Sequence, residues 1–177
     1  MRIVARKSGA KQAIMVALQA ILNPQEEVIF PAPYWVSYPE MAKMIGAVPV
    51  PVPPEDGSFY PRLEDIERYV TSYTKAVIIN SPNNPTGAMY PEQFIAEIVA
   101  FCEKRGLFLI MDDIYHRLVF DGKRPISCYK LSNAWGNKEE YWMKYDALGA
   151  RYIENFKLFA GECPDEVVKA GPKRLGK

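Results

Sequence analysis

A single histidine, His116, and three widely spaced cysteines, Cys102, Cys128 and Cys163, leave this 177-residue chain poor in metal ligands. No CxxC pair occurs, so neither a zinc site nor a disulfide framework is legible. An odd number of isolated thiols fits a reducing compartment, and the expected location is cytoplasmic. Charge of one sign is equally scarce. The 22 Lys and Arg against 21 Asp and Glu leave a formal +1 without a block of like charges. The footprint of a nucleic-acid binder or of an anionic membrane surface is therefore missing, and a small molecule or another protein is the expected partner. Long apolar runs are lacking as well. The most apolar early stretch, AIMVALQAIL, is interrupted by Gln19 and falls short of the ~20 apolar residues that a membrane span requires. Neither a GxxxxGK[ST] phosphate loop nor a secretory or targeting segment is legible.

What the chain does have is alternation. Its length fits one domain with a sizeable core. Residues 10 to 22 place Ile14, Leu18, Ile21 and Leu22 on one helical face, and Asn23-Pro24 ends that helix. Short apolar runs follow at EVIF (27 to 30), AVPVPV (47 to 52), KAVII (75 to 79) and LFLIM (107 to 111). Helical patterns separate them, at Tyr38 to Ile45, Leu63 to Val70 and Pro91 to Arg105. Strands apolar on both faces that alternate with helices predict an α/β fold, a mainly parallel sheet flanked by helices. The prolines of AVPVPV make that strand an edge strand or an irregular one.

Ligands in such sheets bind outside the carboxyl ends of the strands. PAPYW follows the first run, NSPNNPTG the third and DDIY the fourth, while SGAK precedes the first helix. NSPNNPTG can be a rigid turn, since Pro presets φ and Asn and Gly tolerate left-handed geometry, or a device that holds an amide side chain still. Together the four loops offer an anion cradle, an aromatic face, an amide, a carboxylate and a phenol, an inventory suited to a flat, phosphorylated, nitrogen-containing ring.

SGAKQAI, PAPYWVSYPEM, INSPNNPTGAMYP and IMDDIY, in this order and spacing, resemble the aspartate aminotransferases, pyridoxal-phosphate (PLP) transaminases of class I/II and fold type I. The resemblance covers roughly residues 3 to 125. It implies part of the family's large domain and transamination of an amino acid with a 2-oxo acid. The cofactor's pyridine nitrogen acts as an electron sink only while protonated, and by resemblance Asp112 is the carboxylate that keeps the proton there. Asp113, where the family usually has Glu, is the wrong member of the pair. Asn84 resembles the amide bonded to the cofactor's phenolic oxygen, Tyr115 approaches the same oxygen, and Trp35 resembles the aromatic that stacks on the ring. Gly9, Ala10 and Lys11 would offer backbone amides to the phosphate at a helix N-terminus. Cis peptides are expected at Asn84-Pro85 and Ala32-Pro33. Taken singly, each residue has a plainer reading: Asp112 as a local cap, Trp35 as a core anchor.

The family's Schiff-base lysine lies beyond the Asp, in a segment resembling SKAxxxxGxRxGY, and no such segment follows here. Lys144 is a candidate by distance alone. Residues 133 to 173 instead resemble the C-terminal helix of ATP-dependent phosphoenolpyruvate carboxykinases, with Tyr141, Tyr145, Leu148, Tyr152, Phe156 and Phe159 forming an apolar stripe. The expected organisation is a partial aminotransferase large domain over 1–125 and a linker with an amphipathic helical tail over 126–177. Two functions follow: an aminotransferase that is incomplete in this chain, or a non-catalytic truncated or fused product that binds PLP weakly or docks on a partner. A homodimer is what the resemblance implies. The substrate's side chain is not legible.

Overall fold

The computed structural model describes residues 9–55, 57–116, 118–119, 125–126 and the single positions 150, 154, 157, 161, 165 and 168. Two compact units divide the chain, one formed by residues 1–21 with 135–177, the other by residues 22–134. In the first, α1 (Ala10–Ile21) buries Ile14, Leu18, Ala20 and Ile21, the apolar face that the sequence pattern marks. Positions 150, 154, 157, 165 and 168 are helical, and Glu154, Lys157, Asp165 and Val168 are exposed. The aromatic stripe of the tail and Lys144 lie outside the described residues.

The second unit is a four-stranded sheet. Its elements run β1 (Glu27–Pro31), α2 (Ser37–Met44), β2 (Val48–Val52), α3 (Leu63–Glu67), β3 (Thr74–Asn80), α4 (Glu92–Arg105) and β4 (Phe108–Asp112). All pairings are parallel and the order is β2-β1-β3-β4, with a helix in every crossover. The expected α/β sheet is thus present, with EVIF, KAVII and LFLIM as neighbours. β2 takes the edge for a reason visible in its hydrogen bonds. Val48 N–H donates to Glu26 on the β1 side, so Pro49 and Pro51, at alternate positions, turn their missing N–H groups away from the sheet.

β3 is central and buried on both faces. Val77 and Ile79 join Ile29 of β1, Ile66 of α3 and Phe94, Ile95, Ile98 and Phe101 of α4 in one cluster. The alternate residues Ala76 and Ile78 of β3, with Val28 and Phe30 of β1, are buried on the opposite face. Phe30 there meets Tyr34 and Tyr38, ring centroids 4.7 and 5.9 Å away. α4 carries Glu92 in its first turn and Lys104 and Arg105 in its last, matching its dipole, and it closes on Gly106 at φ 68°, a left-handed cap that favours glycine.

Leu63 to Val70 forms a shorter helix than its pattern predicts. After Glu67 the bonding tightens: Tyr69 N–H and Val70 N–H reach back three residues, to the Ile66 and Glu67 carbonyls. Among the described residues, no helix is long and apolar enough to cross a membrane.

Ile98 is fully buried where α4 joins the sheet cluster. Ile98→Ala is expected to lower the unfolding free energy by about 2–5 kcal/mol in urea titrations, through lost transfer energy and a cavity. A change below about 0.5 kcal/mol, usual for surface sites, would contradict this packing.

Candidate functional site

The strand order places the site. From β1 the chain goes outward to β2, then returns to the other side of β1 to form β3, so the loops leaving β1 and β3 diverge at adjacent carboxyl ends. Such a reversal opens a crevice between the loops. β4 ends beside β3 and adds Asp112 to Tyr115 to the same rim, since Asn80 and Asp112 are register partners.

Asn80, the last residue of β3 and 4% exposed, organises this rim. Its Nδ2 donates to the Asp112 carbonyl at 2.8 Å, and its Oδ1 accepts the Asn84 N–H at 2.7 Å. Asn84 is thereby brought back over the strand end, where its Nδ2 donates to the Tyr115 hydroxyl at 3.2 Å. The loop is braced a second time by Asn83. Its Oδ1 accepts from the Thr86 hydroxyl at 2.9 Å, and its Nδ2 donates to the Pro33 carbonyl at 3.2 Å, tying the loops after β3 and β1 together. Gly87, at φ 72°, donates its N–H to the Asn83 carbonyl at 2.8 Å and closes the turn. The peptides before Pro33 and Pro85 are cis, as expected, and the one before Pro82 is cis too.

Asp112 is buried. The Tyr38 hydroxyl donates to its Oδ2 at 2.7 Å, and the Ile114 N–H approaches Oδ1 at 3.4 Å. Both readings of Asp112 thus have a counterpart: a loose local cap, and a buried carboxylate held from another element. Tyr38 in turn meets the Trp35 ring edge-on, centroids 5.6 Å apart. One continuous path of contacts therefore links Trp35, Tyr38, Asp112, Asn80, Asn84 and Tyr115. The structure brings together four of the residues singled out from sequence: Trp35, Asn84, Asp112 and Tyr115. Gly9, Ala10 and Lys11 stand at the start of α1, in the other compact unit.

Three participants escape a motif reading. Tyr38 looks like one more apolar position on α2, Asn80 like a strand end, and Asn83 like a turn former. The available signal is the density of amides itself, since three Asn within five positions exceed what one turn needs.

Burial first, then the Asp112 carboxylate, pushes the Tyr38 phenol well above its ordinary value of 10.0. Burial does the same at Tyr90, partly offset by the bond from Asn83. Both phenols favour the neutral form in the fold, so their contribution is complete below their ordinary value and is lost as pH rises beyond it. Stability is expected to fall above about pH 10, and Tyr38→Phe to flatten that fall by up to about 1.4 kcal/mol per pH unit. Urea titrations from pH 9 to 11.5 measure it; identical slopes would contradict the buried Tyr38–Asp112 pair.

Comparison with known proteins agrees with this architecture. The family model described as aminotransferase class I and II matches residues 4–140. A probable aspartate/prephenate aminotransferase of Aquifex aeolicus is 38% identical over 164 residues, 92% of this chain and 41% of that protein. The aspartate aminotransferase of Bacillus subtilis is 41% identical over 71% of this chain and 32% of its own length. Among solved structures, a mutant aspartate aminotransferase of Thermus thermophilus superposes with a TM-score of 0.63 at 39% identity, covering 70% of this chain and 32% of that one. The chain thus spans about a third to two fifths of these relatives. Because the family model matches most of this chain, and with a parallel sheet like that of the solved relatives, the chain belongs to the class I and II aminotransferases.

Proposed function

We propose that this chain carries part of the PLP site of an enzyme that moves an amino group between an amino acid and a 2-oxo acid, in the manner of aspartate aminotransferases. The observation that carries the reading is the pairing, on one crevice rim, of a buried carboxylate with an amide–phenol couple. The donor set fits the cofactor. A carboxylate with one oxygen only loosely bonded can hold a proton on a ring nitrogen, and an amide and a phenol side by side can donate to a phenolic oxygen. When bound, PLP supplies an electron sink for the carbon that exchanges the amino group.

Each residue has a separate task. Asp112 keeps the ring-nitrogen proton in place. Asn84 Nδ2 and the Tyr115 hydroxyl stabilise negative charge on the phenolic oxygen. Trp35 offers an aromatic face and shields the rim from water. Gly9, Ala10 and Lys11 remain assigned to the phosphate by resemblance, and amides at a helix start suit an anion. The cytoplasm is the proposed location, and a homodimer the proposed assembly by analogy with the family.

The test is PLP titration of the purified chain, followed by absorbance, then borohydride reduction and an assay with aspartate and 2-oxoglutarate. Reversible binding is expected, weakened about tenfold or more in Asn84→Ala, because a hydrogen bond to a charged group is lost. Borohydride is expected to leave the cofactor dialysable and turnover to be absent, since the chain has no SKAxxxxGxRxGY segment. Absence of PLP binding would refute the cofactor reading. Covalent trapping and turnover that vanish in Lys144→Ala would make Lys144 the attachment point.

A further inference from the structure

We propose that Tyr38 is a positioning residue for the cofactor carboxylate: its hydroxyl holds Asp112 Oδ2 and leaves Oδ1 as the oxygen offered to the ring N–H. The proposal rests on the cofactor reading above.

The geometry separates the two carboxylate oxygens. Oδ2 receives the 2.7 Å bond from Tyr38, whereas Oδ1 receives only the long 3.4 Å contact from its own chain, at Ile114. A contact that long contributes little, so Oδ1 keeps its capacity for a further donor. Tyr38 itself has little freedom. It is 1% exposed near the start of α2, with the Phe30 ring 5.9 Å and the Trp35 ring 5.6 Å from its own. The bond joins residues 74 positions apart and fixes the end of β4 to a different crossover.

The chemistry of the partner matters as much as its position. Among the described residues, no Lys or Arg pairs with Asp112. A cation there would compete with a protonated ring for the same negative charge. A neutral phenol orients the carboxylate and satisfies one oxygen while leaving that charge uncancelled. Burial also keeps the Tyr38 proton on its own oxygen, so Tyr38 remains the donor of the pair.

Comparing PLP with its carbocyclic analogue, in which a C–H replaces the ring nitrogen, tests the role. Affinity for each is read by absorbance and tryptophan fluorescence. The unaltered chain is expected to prefer PLP by about tenfold or more, and Tyr38→Phe to reduce that preference about three- to tenfold. Partial unfolding lowers both affinities alike and cancels in the ratio, so a merely structural role leaves the preference unmoved. Should Tyr38→Phe not fold because it buries a lone charge, the double variant Tyr38→Phe/Asp112→Asn removes the charge. Its ratio is expected to equal that of Asp112→Asn alone. An undiminished preference in Tyr38→Phe, or different ratios for those two Asn variants, would overturn the proposal. No preference in the unaltered chain would overturn the cofactor reading, and this proposal with it.

Discussion

The Asn80 carboxamide joins two pieces of backbone that have no other reason to meet. One is the carbonyl that ends β4; the other is the N–H of Asn84, four residues into a proline-rich loop. Without Asn80 the part-buried Asn84 N–H would lose its partner near a strand end where ladder pairing stops, and the Asp112 carbonyl would keep only the longer 3.3 Å bond from the Ser81 N–H. An unsatisfied group of this kind costs about 1–3 kcal/mol, so the loop is held in its turned-back path. Everything at the rim inherits its position from that clamp: Asn84 reaches Tyr115, and Asp112 is set in register beside the loop.

Electrostatics then depends on what surrounds Asp112. The strands beneath it are apolar on both faces, a low-dielectric floor in which charge is costly unless solvated by dipoles. The Tyr38 phenol supplies such a dipole, and among the described residues no Lys or Arg pairs with Asp112. The site thereby stores an oriented negative charge at one end and two donors at the other. That polarity suits a ring with a cationic nitrogen and an anionic phenolic oxygen.

The strands and most helices could be read from sequence because their physics is local. Runs such as KAVII are apolar on both faces only in a covered sheet, and the prolines of AVPVPV point to an edge or an irregular strand. Asp112, Asn84, Tyr115 and Trp35 could be located because each follows a strand. Tyr38 could not, because helical spacing gives its ring a core position and says nothing of a hydroxyl aimed at a residue 74 positions away. Asn80 was hidden by its place at the end of an apolar run, and the end of α3 by a change in bonding from four to three residues that leaves no mark on apolar periodicity. The switch between β1 and β3 was also beyond reach, since strand order is set by long-range pairing.

Amide hydrogen exchange in Asn80→Ala tests the clamp most directly. In the unaltered chain the Asn84 amide is expected to exchange slowly, with protection near that of Val77 and Leu109 in the sheet. In Asn80→Ala it is expected to exchange as an open loop does, while Val77 and Leu109 stay protected. Unchanged protection at Asn84 would contradict the account, as would equal loss across the whole sheet, because either result would mean that Asn80 does not hold this loop in place.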